Sequence, residues 1–378
     1  MARLQRPAHR RRPVSRRLPL AQRPRWTTDV VVVGGGAVGA AATWQLAARG
    51  MEVLLVERFA PGHTRGASHG RARTYRPGSA DPVVAALADE SFALWRDLES
   101  ETGADLLHLT GGVDHGDPDV LAARADALAA RGLRYDWLAA RDAEQRWPGM
   151  RFEGRVLHQP DRTGRINADH AVAALTAAAV GEGALVRHRT RVTDLVVQGA
   201  DSVDVVTDRD IVRARKVVIT AGAWTAELVG SAVGSAIELP PLRVVRDEPA
   251  VFPVLGATPC GGCPVPWPAF VHHRTDAAPI AGVAAPEGVR AGVDGPDGTG
   301  LAELQRYVRD WLPGADPSRP TRVSIAYTTA LDGPFLTRRA GPVVVGVGSS
   351  THGFSFVPAL GRVLADLAVG APVRRAAV

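Results

Sequence analysis

The stretch that decides the fold is DVVVVGGGAVGAAATWQLAARGMEVLLVER, residues 29–58. It opens with an apolar, β-branched run at 30–33, which predicts a buried parallel strand. A G-x-G-x-x-G motif follows at Gly34, Gly36 and Gly39. These glycines permit a tight turn, a close approach of the backbone to a pyrophosphate, and packing of a helix on the strand.

The residues after the motif complete a dinucleotide-binding unit. Residues 37–48 predict a helix whose first amides, at Ala37 and Val38, would face phosphate groups. The next strand ends at Glu57, where an acid can accept hydrogen bonds from an adenosine ribose. This acid favours FAD or NAD over NADP. The alternative is a glycine-rich turn without a ligand, and the register of strand, helix, strand and acid favours a dinucleotide site.

Composition and charge narrow the class of protein. The 378 residues suffice for two sizeable cores, and no apolar run reaches the roughly 18 residues of a transmembrane helix. The net charge of +6 lies mainly in residues 1–27, which hold nine arginines and no acid. We expect this tail to be disordered, with attraction to nucleic acid or a membrane surface as the alternative. Only LPLA follows its paired arginines, which is too short for an export signal.

Cys260 and Cys263, in PCGGCP, are the only cysteines. They exclude a disulfide framework, so we expect a cytoplasmic protein. With His272 and His273 they offer four possible zinc ligands. A glycine-proline turn, with or without a reversible pair of thiols, fits CGGC better, and we predict no metal.

Four later segments suggest the family. They are EQRWPGM (144–150), KVVITAGAW (216–224), RVSIAYTTALDG (322–333) and VVVGVGSSTHGFSF (343–356). With the first motif, their order and spacing closely resemble the D-amino-acid-oxidase superfamily of FAD-dependent oxidoreductases. Within it the chain looks most like the branch of monomeric sarcosine oxidase and N-methyltryptophan oxidase.

The resemblance implies an α/β fold of two domains, a Rossmann-like FAD-binding domain and a substrate domain built on an antiparallel sheet. The FAD-binding domain would use 28–105, 152–235 and 323–378, and the substrate domain 106–151 and 236–322. The family pattern also implies a set of cofactor-binding residues. They are Gly34, Gly36, Ala37, Val38, Gly39, Glu57, Arg58, His69, Gly70, Arg73, Ala221, Gly222, Trp224, Gly348, Gly353, Phe354 and Ser355.

The resemblance also implies catalytic residues. The counterpart of Arg73 lies against the flavin, and the counterpart of Arg76 helps to bind a substrate carboxylate; a structural ion pair is the alternative for Arg76. Tyr327 matches a tyrosine beside the flavin. The branch carries a cysteine, bonded covalently to the flavin, where this chain has Ile325. We therefore predict that FAD binds non-covalently.

The turn THGFSF, residues 351–356, departs from the pattern in one residue. His352, Gly353 and Phe354 agree with the family, and the helix that follows would direct its dipole at the flavin. The branch has a lysine where this chain has Ser355, so half of the expected carboxylate clamp is missing.

A second lysine of the branch promotes the reaction of reduced flavin with oxygen, and we expect its position near Pro279. Lys216, the only lysine in the chain, belongs to the nucleotide side of the fold. We therefore predict weak reactivity with oxygen, or another electron acceptor, although Arg73 could supply the missing charge.

The sequence thus predicts an FAD-dependent oxidoreductase that oxidises the C–N bond of an amine or amino acid, by hydride transfer to flavin N5. Catalysis is assigned to Arg73, Arg76, Tyr327, Ser355 and His352. The altered clamp favours a substrate other than sarcosine, such as a larger amine or a tailoring intermediate in a biosynthetic pathway. We expect a monomer, without a nucleic-acid or membrane partner.

Two alternatives stay open. The first is a dehydrogenase of 2-hydroxy acids or alcohols from the same superfamily. The second is a flavin-binding protein whose active site has decayed, which the missing lysines would explain.

Overall fold

The computed structural model describes residues 25–76, 81–232, 237, 239–256, 267–293, 300–330, 335–348 and 353–371. Cys260, Cys263 and His352 lie outside these residues, as does the tail up to residue 24, so the predictions made for them stay predictions. Residues 25–27, assigned to the tail from the sequence, are instead the start of the first strand.

The described residues form both α-helices and β-strands. The α-helices are α1 (Ala37–Ala47), α2 (Pro82–Thr102), α3 (Pro118–Ala130), α4 (Ala140–Arg146), α5 (Ala168–Gly181), α6 (Thr225–Ala232), α7 (Leu301–Trp311) and α8 (Val357–Val369). The strands of the first half are β1 (Arg25–Val33), β2 (Val53–Val56), β3 (Arg73–Tyr75), β4 (Leu107–His108), β5 (Gly112–Gly116), β6 (Asp136–Ala139), β7 (Arg155–Gln159), β8 (Gly164–Ile166) and β9 (Leu185–Arg187). Those of the second half are β10 (Val192–Gly199), β11 (Ser202–Thr207), β12 (Ile211–Ile219), β13 (Leu242–Asp247), β14 (Ala250–Phe252), β15 (Ala269–His273), β16 (Ile280–Ala285), β17 (Gly288–Val293), β18 (Thr321–Arg322), β19 (Ile325–Ala330), β20 (Phe335–Ala340) and β21 (Val343–Gly348).

The first large sheet is built around the glycine motif. β1 pairs in parallel with β2 on one side and with β12 on the other. β9 extends the sheet beyond β2, and β21 pairs in parallel with the second half of β12. Apolar β-branched residues fill these strands because both of their faces are covered. The predicted Rossmann-like α/β sheet is confirmed.

Helices α1, α5 and α8 cover one face of this sheet and share one core with it. The close contact between α1 and α8 requires a glycine, since a Cβ on Gly361 would lie 2.5 Å from the carbonyl carbon of Ala41. Helix α2 is capped at its start by Asp81, which accepts hydrogen bonds from Val83 N and Val84 N. Its C-cap is Gly103, in the left-handed conformation.

The second large sheet has the order β18-β14-β17-β16-β15-β5-β7-β6. Its neighbours are antiparallel, as predicted, except for the parallel pair of β15 and β5. It has a separate core with α4 and α7. Strand β7, which the sequence-based boundaries placed in the FAD-binding domain, pairs with β5 and β6 of this sheet. The remaining domain boundaries stay a prediction.

Two small sheets carry residues of the site. One pairs β13 with β19, and the other has the order β3-β8-β4. Strand β3 contains Arg73, and β19 contains Ile325 and Tyr327. Within the described ranges, none of the helices has the length and apolar character needed to cross a membrane.

Candidate active site

A large cavity opens where β1 and β2 end. Its volume is about 980 Å³, near the upper end of the range for ligand pockets. The wall is formed by the glycine turn, the loop 57–70, one side of α5, and residues 220–224. The inner end is closed by β19 and by the turn before α8. A ligand in the cavity would therefore extend from the glycine motif, near the start of the chain, to β19 and the turn before α8, near its end.

The glycine turn leaves no room for side chains. Gly34 has a φ of +104° and lies against the carbonyl of Thr220. A Cβ on Gly39 would lie 1.9 Å from Gly34 O, so only glycine lets α1 approach the turn this closely. The amide of Ala37, at the start of α1, donates to Ser68 Oγ at 3.0 Å. The backbone of this turn thus forms a cradle for a ligand, and Ser68 of the following loop holds the turn in place.

Glu57 is fixed by backbone amides at the end of β2. Its Oε2 accepts from Gly35 N and its Oε1 from Phe59 N, both at 2.7 Å. Oε2 keeps a second acceptor site, and Oε1 also lies 3.5 Å from His63 Nε2. The carboxylate lines the cavity, where it can accept the ribose hydroxyls predicted from the sequence.

Arg73 is a buried cation in the cavity wall. Its Nη2 donates to Ala67 O at 3.0 Å and to His69 O at 2.5 Å, whereas Nη1 is buried and has no hydrogen-bond partner among the described residues. Burial lowers the pKa of Arg73 to about 9, and the charge of Arg290 contributes, which leaves Arg73 charged at neutral pH. Burial, followed by the charge of Arg73, lowers the pKa of His69.

Arg290 and Asp247 also line the cavity, and sequence reasoning missed both. Arg290 Nη2 lies 3.9 Å from Asp247 Oδ2, and Arg290 Nε is buried without a partner among the described residues. Burial lowers the pKa of Arg290, and Asp247 counteracts the effect. The available signal was an arginine inside the otherwise apolar strand GVRAGV. Arg73 and Arg290 thus place two guanidinium groups in the cavity wall, with the carboxylate of Asp247 near Arg290.

Strand β19 places Ile325 and Tyr327 at the inner end of the cavity. Both side chains are buried and pack with Val245 of β13. The alternation of a strand puts them on the same face. Ile325 thus forms part of the wall at the position where the branch carries its covalent cysteine.

The turn before α8 contributes only part of what the sequence predicted. Gly353 and Phe354 line the cavity, and Phe354 stacks on Trp95 with ring centroids 6.1 Å apart. Ser355 is 1% exposed and lies outside the lining. Its carbonyl accepts hydrogen bonds from Ser91 Oγ and Trp95 Nε1, so the backbone of this turn is anchored to α2.

Arg76 lies behind this wall, in a buried ionic cluster. Its Nη2 donates to Asp114 Oδ1 at 2.8 Å and Oδ2 at 2.7 Å. Arg124 Nε donates to Oδ2 at 2.9 Å, and His273 Nε2 lies 2.8 Å from Oδ1. Burial raises the pKa of Asp114, but the charges of Arg124 and Arg76 outweigh it and hold the pKa far below its usual range. The structure contains the ion pair that was the alternative for Arg76; contact with substrate stays a prediction.

Most of the predicted cofactor residues meet in this one cavity. Those that line it are Gly34, Gly36, Ala37, Val38, Glu57, Arg58, His69, Gly70, Arg73, Ala221, Gly222, Trp224, Gly353 and Phe354. Gly39 and Ser355 support the wall from outside the lining, and Gly348 ends β21. The glycine cradle, together with Nη1 of Arg73, which has no partner among the described residues, fits an elongated anionic ligand such as FAD. The part of the chain that is described holds no group of three metal-ligating side chains.

The comparisons with known proteins agree with this geometry. A model of the family described as "FAD dependent oxidoreductase" matches residues 29–367. Monomeric sarcosine oxidase of Bacillus sp. (strain B-0618) is 30% identical, over 90% of this chain and 92% of the relative. A probable sarcosine oxidase of Arabidopsis thaliana is 29% identical, over 90% and 88%. N-methyl-L-tryptophan oxidase of Yersinia pestis is 28% identical, over 91% and 95%.

Similarity to a solved structure indicates the same family. The open form of NikD, titled an unusual amino acid oxidase essential for nikkomycin biosynthesis, has a TM-score of 0.78 at 31% identity, covering 91% of this chain and 94% of NikD. The chain belongs to the FAD-dependent oxidoreductase family, which confirms the resemblance and FAD as the cofactor.

Proposed function

We propose that this FAD-dependent oxidoreductase oxidises the C–N bond of an amine or amino acid. The observation that carries the proposal is the shared cavity, in which the nucleotide cradle meets Arg73, Tyr327 and Phe354. The names of the relatives support this substrate class, since they are oxidases of sarcosine and of N-methyl-L-tryptophan. FAD supplies the redox chemistry when bound, by accepting a hydride from the substrate carbon at N5.

The residues of the chain itself would bind and orient the cofactor. The backbone of residues 34–38 and the dipole of α1 would hold the pyrophosphate, and Glu57 the ribose. Arg73 would place a fixed positive charge at the inner end, where it favours negative charge on a bound ring. Buried apolar and aromatic side chains, Ile325 and Phe354 among them, exclude water from that end.

We also propose that FAD binds without a covalent bond. Ile325 lines the cavity where the branch has its cysteine, and an alkyl side chain cannot form a thioether. Denaturation with acid or urea should therefore release all of the flavin into the supernatant. Flavin that stays with the precipitated protein would contradict this proposal.

Weak reactivity with oxygen stays part of the proposal. Lys216, the only lysine, binds Asp201 and the carbonyl of Ala200, so no ammonium group lines the cavity. Arg73 and Arg290 do line it, but a guanidinium spreads its charge over a plane. The protein reduced by light and then exposed to air should regain its yellow colour no faster than free reduced flavin. A much faster return would identify an oxidase.

The substrate class is tested by anaerobic bleaching of the bound flavin. Secondary amines and amino acids are mixed with the protein in parallel with matched 2-hydroxy acids, and free FAD is the control. Bleaching by amines alone is the expected result. Bleaching by hydroxy acids alone would support a hydroxy-acid dehydrogenase, and bleaching by neither would support a decayed site.

A further inference from the structure

The peptide bond between His69 and Gly70 lies in the cavity wall beside Arg73. Its carbonyl oxygen accepts a hydrogen bond from Arg73 Nη2 at 2.5 Å, and its N–H donates to Asp169 Oδ1 at 2.9 Å. A peptide unit is planar, and its trans form directs the N–H and the carbonyl to opposite sides. The orientation of this one peptide therefore determines whether Arg73 keeps its acceptor and Asp169 its donor.

Helix α5 also holds the next peptide along the chain. Gly70 O accepts hydrogen bonds from the amides of Ala168 at 3.0 Å and Asp169 at 3.3 Å, in the first turn of the helix. Gly70 itself has a φ of +106°, and a glycine can exchange this conformation for others at little steric cost. Asp169 Oδ1, as the acceptor of Gly70 N, thus opposes a rotation of the His69–Gly70 peptide that the glycine would permit.

The guanidinium group of Arg73 depends on this peptide for its alignment. Its Nη2 is held between the carbonyls of His69 and Ala67. Its Nη1 lies beside Gly70, 3.8 Å from where a Cβ would be, and has no hydrogen-bond partner among the described residues. A rotated peptide would present an N–H to the guanidinium in place of a carbonyl, and two donors repel each other. Arg73 would then leave its place in the cavity wall.

We propose that Asp169 is a positioning residue, which locks the His69–Gly70 peptide and thereby fixes the guanidinium of Arg73 in the cavity wall. The inference rests on the role proposed above for Arg73, and not on the substrate. A fixed cation in that wall favours the reduced, negatively charged form of the flavin. The first turn of α5 therefore helps to set the midpoint potential of the cofactor, although 99 positions separate Asp169 from Gly70.

The experiment separates the hydrogen bond of Asp169 from its charge. Asp169→Asn keeps an oxygen that can accept from Gly70 N, whereas Asp169→Ala removes both the acceptor and the charge. Asp169 is exposed, so neither replacement leaves a hole in the core. Both are made in the natural protein and in Arg73→Met, and reductive titration against a reference dye gives the midpoint potential of the bound flavin. The controls are Asp119→Asn and Asp119→Ala, at the matching second residue of α3.

We expect Asp169→Ala to have at least a tenfold lower ratio of reduced to oxidised flavin than Asp169→Asn at the same potential. This ratio corresponds to about 30 mV for a two-electron couple. The two variants should be equal in Arg73→Met, and neither change at Asp119 should alter the potential. Equal potentials of Asp169→Ala and Asp169→Asn in the otherwise natural protein, or a difference that persists in Arg73→Met, would overturn the inference.

Binding of FAD supplies the same comparison if a variant does not retain its flavin. The apoproteins are then titrated with FAD, and Asp169→Ala should bind it more weakly than Asp169→Asn only where Arg73 is present. Equal binding by the two variants would overturn the inference. An unchanged potential in Arg73→Met alone would overturn the proposed role of Arg73 as well. A changed potential there, without a difference between the Asp169 variants, would overturn only the role of Asp169.

Discussion

The two large sheets bury their polar groups in different ways. Beside the first sheet, the polar contacts of the cavity are made largely by the backbone, as where Gly35 N and Phe59 N hold Glu57. Beside the second sheet, charged side chains bind one another, as in the cluster around Asp114. In the same layer His115 stacks on His272, with ring centroids 4.1 Å apart.

This difference corresponds to the proposed division between cofactor binding and substrate binding. A backbone cradle can be encoded only by residues that permit the backbone geometry, so it appears in the sequence as glycines at fixed spacing. Side-chain recognition can use any residue that pairing brings to the right place. Few residues can therefore replace the glycines of the cradle, whereas the ionic cluster can change its charges one residue at a time.

The largest effect should come from breaking the ionic cluster. Asp114→Leu leaves the guanidinium groups of Arg76 and Arg124 buried without their carboxylate, which costs about 3–5 kcal/mol of unfolding free energy. Urea unfolding of the holoenzyme measures it. The control is Asp161→Leu, which breaks an exposed pair with Arg134 and should cost less than about 1 kcal/mol. Equal stability of the two variants would show that the cluster is not the anchor of this half.

The second-largest effect should come from the glycine cradle, and it should appear as weaker binding of FAD. Gly39→Ala places a Cβ 1.9 Å from Gly34 O, a backbone atom of the turn, and 2.6 Å from Thr220 Oγ1. Overpacking of this kind costs about 1–3 kcal/mol, so we expect FAD to bind up to about 100-fold more weakly. The flavin-to-protein ratio after dialysis measures it. Gly181→Ala, which meets no atom within 4 Å, is the matched control; a variant at Gly39 that keeps its full flavin would contradict the cradle.

The same contrast explains what the sequence could predict. Gly34, Gly36 and Glu57 lie close together in the chain and obey a spacing rule, and all three line the cavity. The α/β sheet around them was predictable because its strands are continuous apolar runs. Tyr327 and Phe354 needed the family resemblance, since nothing in their local sequence indicates a ligand.

The second large sheet was less predictable for a physical reason. Asp114 and His273 meet because β5 and β15 pair in parallel, although 159 positions separate them in the chain. Arg290 was missed because its place in the cavity wall depends on where β17 lies in the second sheet. A contact that depends on strand pairing leaves no spacing rule in the sequence.

A substitution at Arg290, which lies in the second sheet, tests whether a charge from that sheet acts on the cofactor. Arg290→Met removes a buried positive charge from the cavity wall, and the loss disfavours negative charge on the bound ring. We expect the midpoint potential of the flavin to fall by about 30 mV, equal to about 1.4 kcal/mol for a two-electron couple. Reductive titration against a reference dye measures it. The exposed Arg338 provides the control, Arg338→Met; an unchanged potential in Arg290→Met would mean that its charge does not reach the cofactor.

The smallest effect should be a dependence of stability on pH that arises from buried histidines of the second sheet. Burial, and then the charge of His272, lowers the pKa of His115 well below its usual value, and burial also lowers that of His272 despite Glu153. The unfolded chain therefore takes up protons at a higher pH than the folded one. Stability should be complete above about pH 6.5 and fall as the pH decreases below it, with a slope of at most about 1.4 kcal/mol per pH unit for each proton.

Urea unfolding between pH 8 and pH 5 measures this slope. His115→Gln keeps an acceptor for Glu153 N, which now donates to His115 Nδ1 at 3.2 Å, and removes the titrating ring. The slope should become smaller in this variant, whereas His170→Gln, at an exposed position on α5, should leave it unchanged. If both variants kept the full slope, His115 would not be its source. The acid sensitivity would then arise at other histidines whose pKa burial lowers, such as His158 of β7 or His69 in the cavity wall.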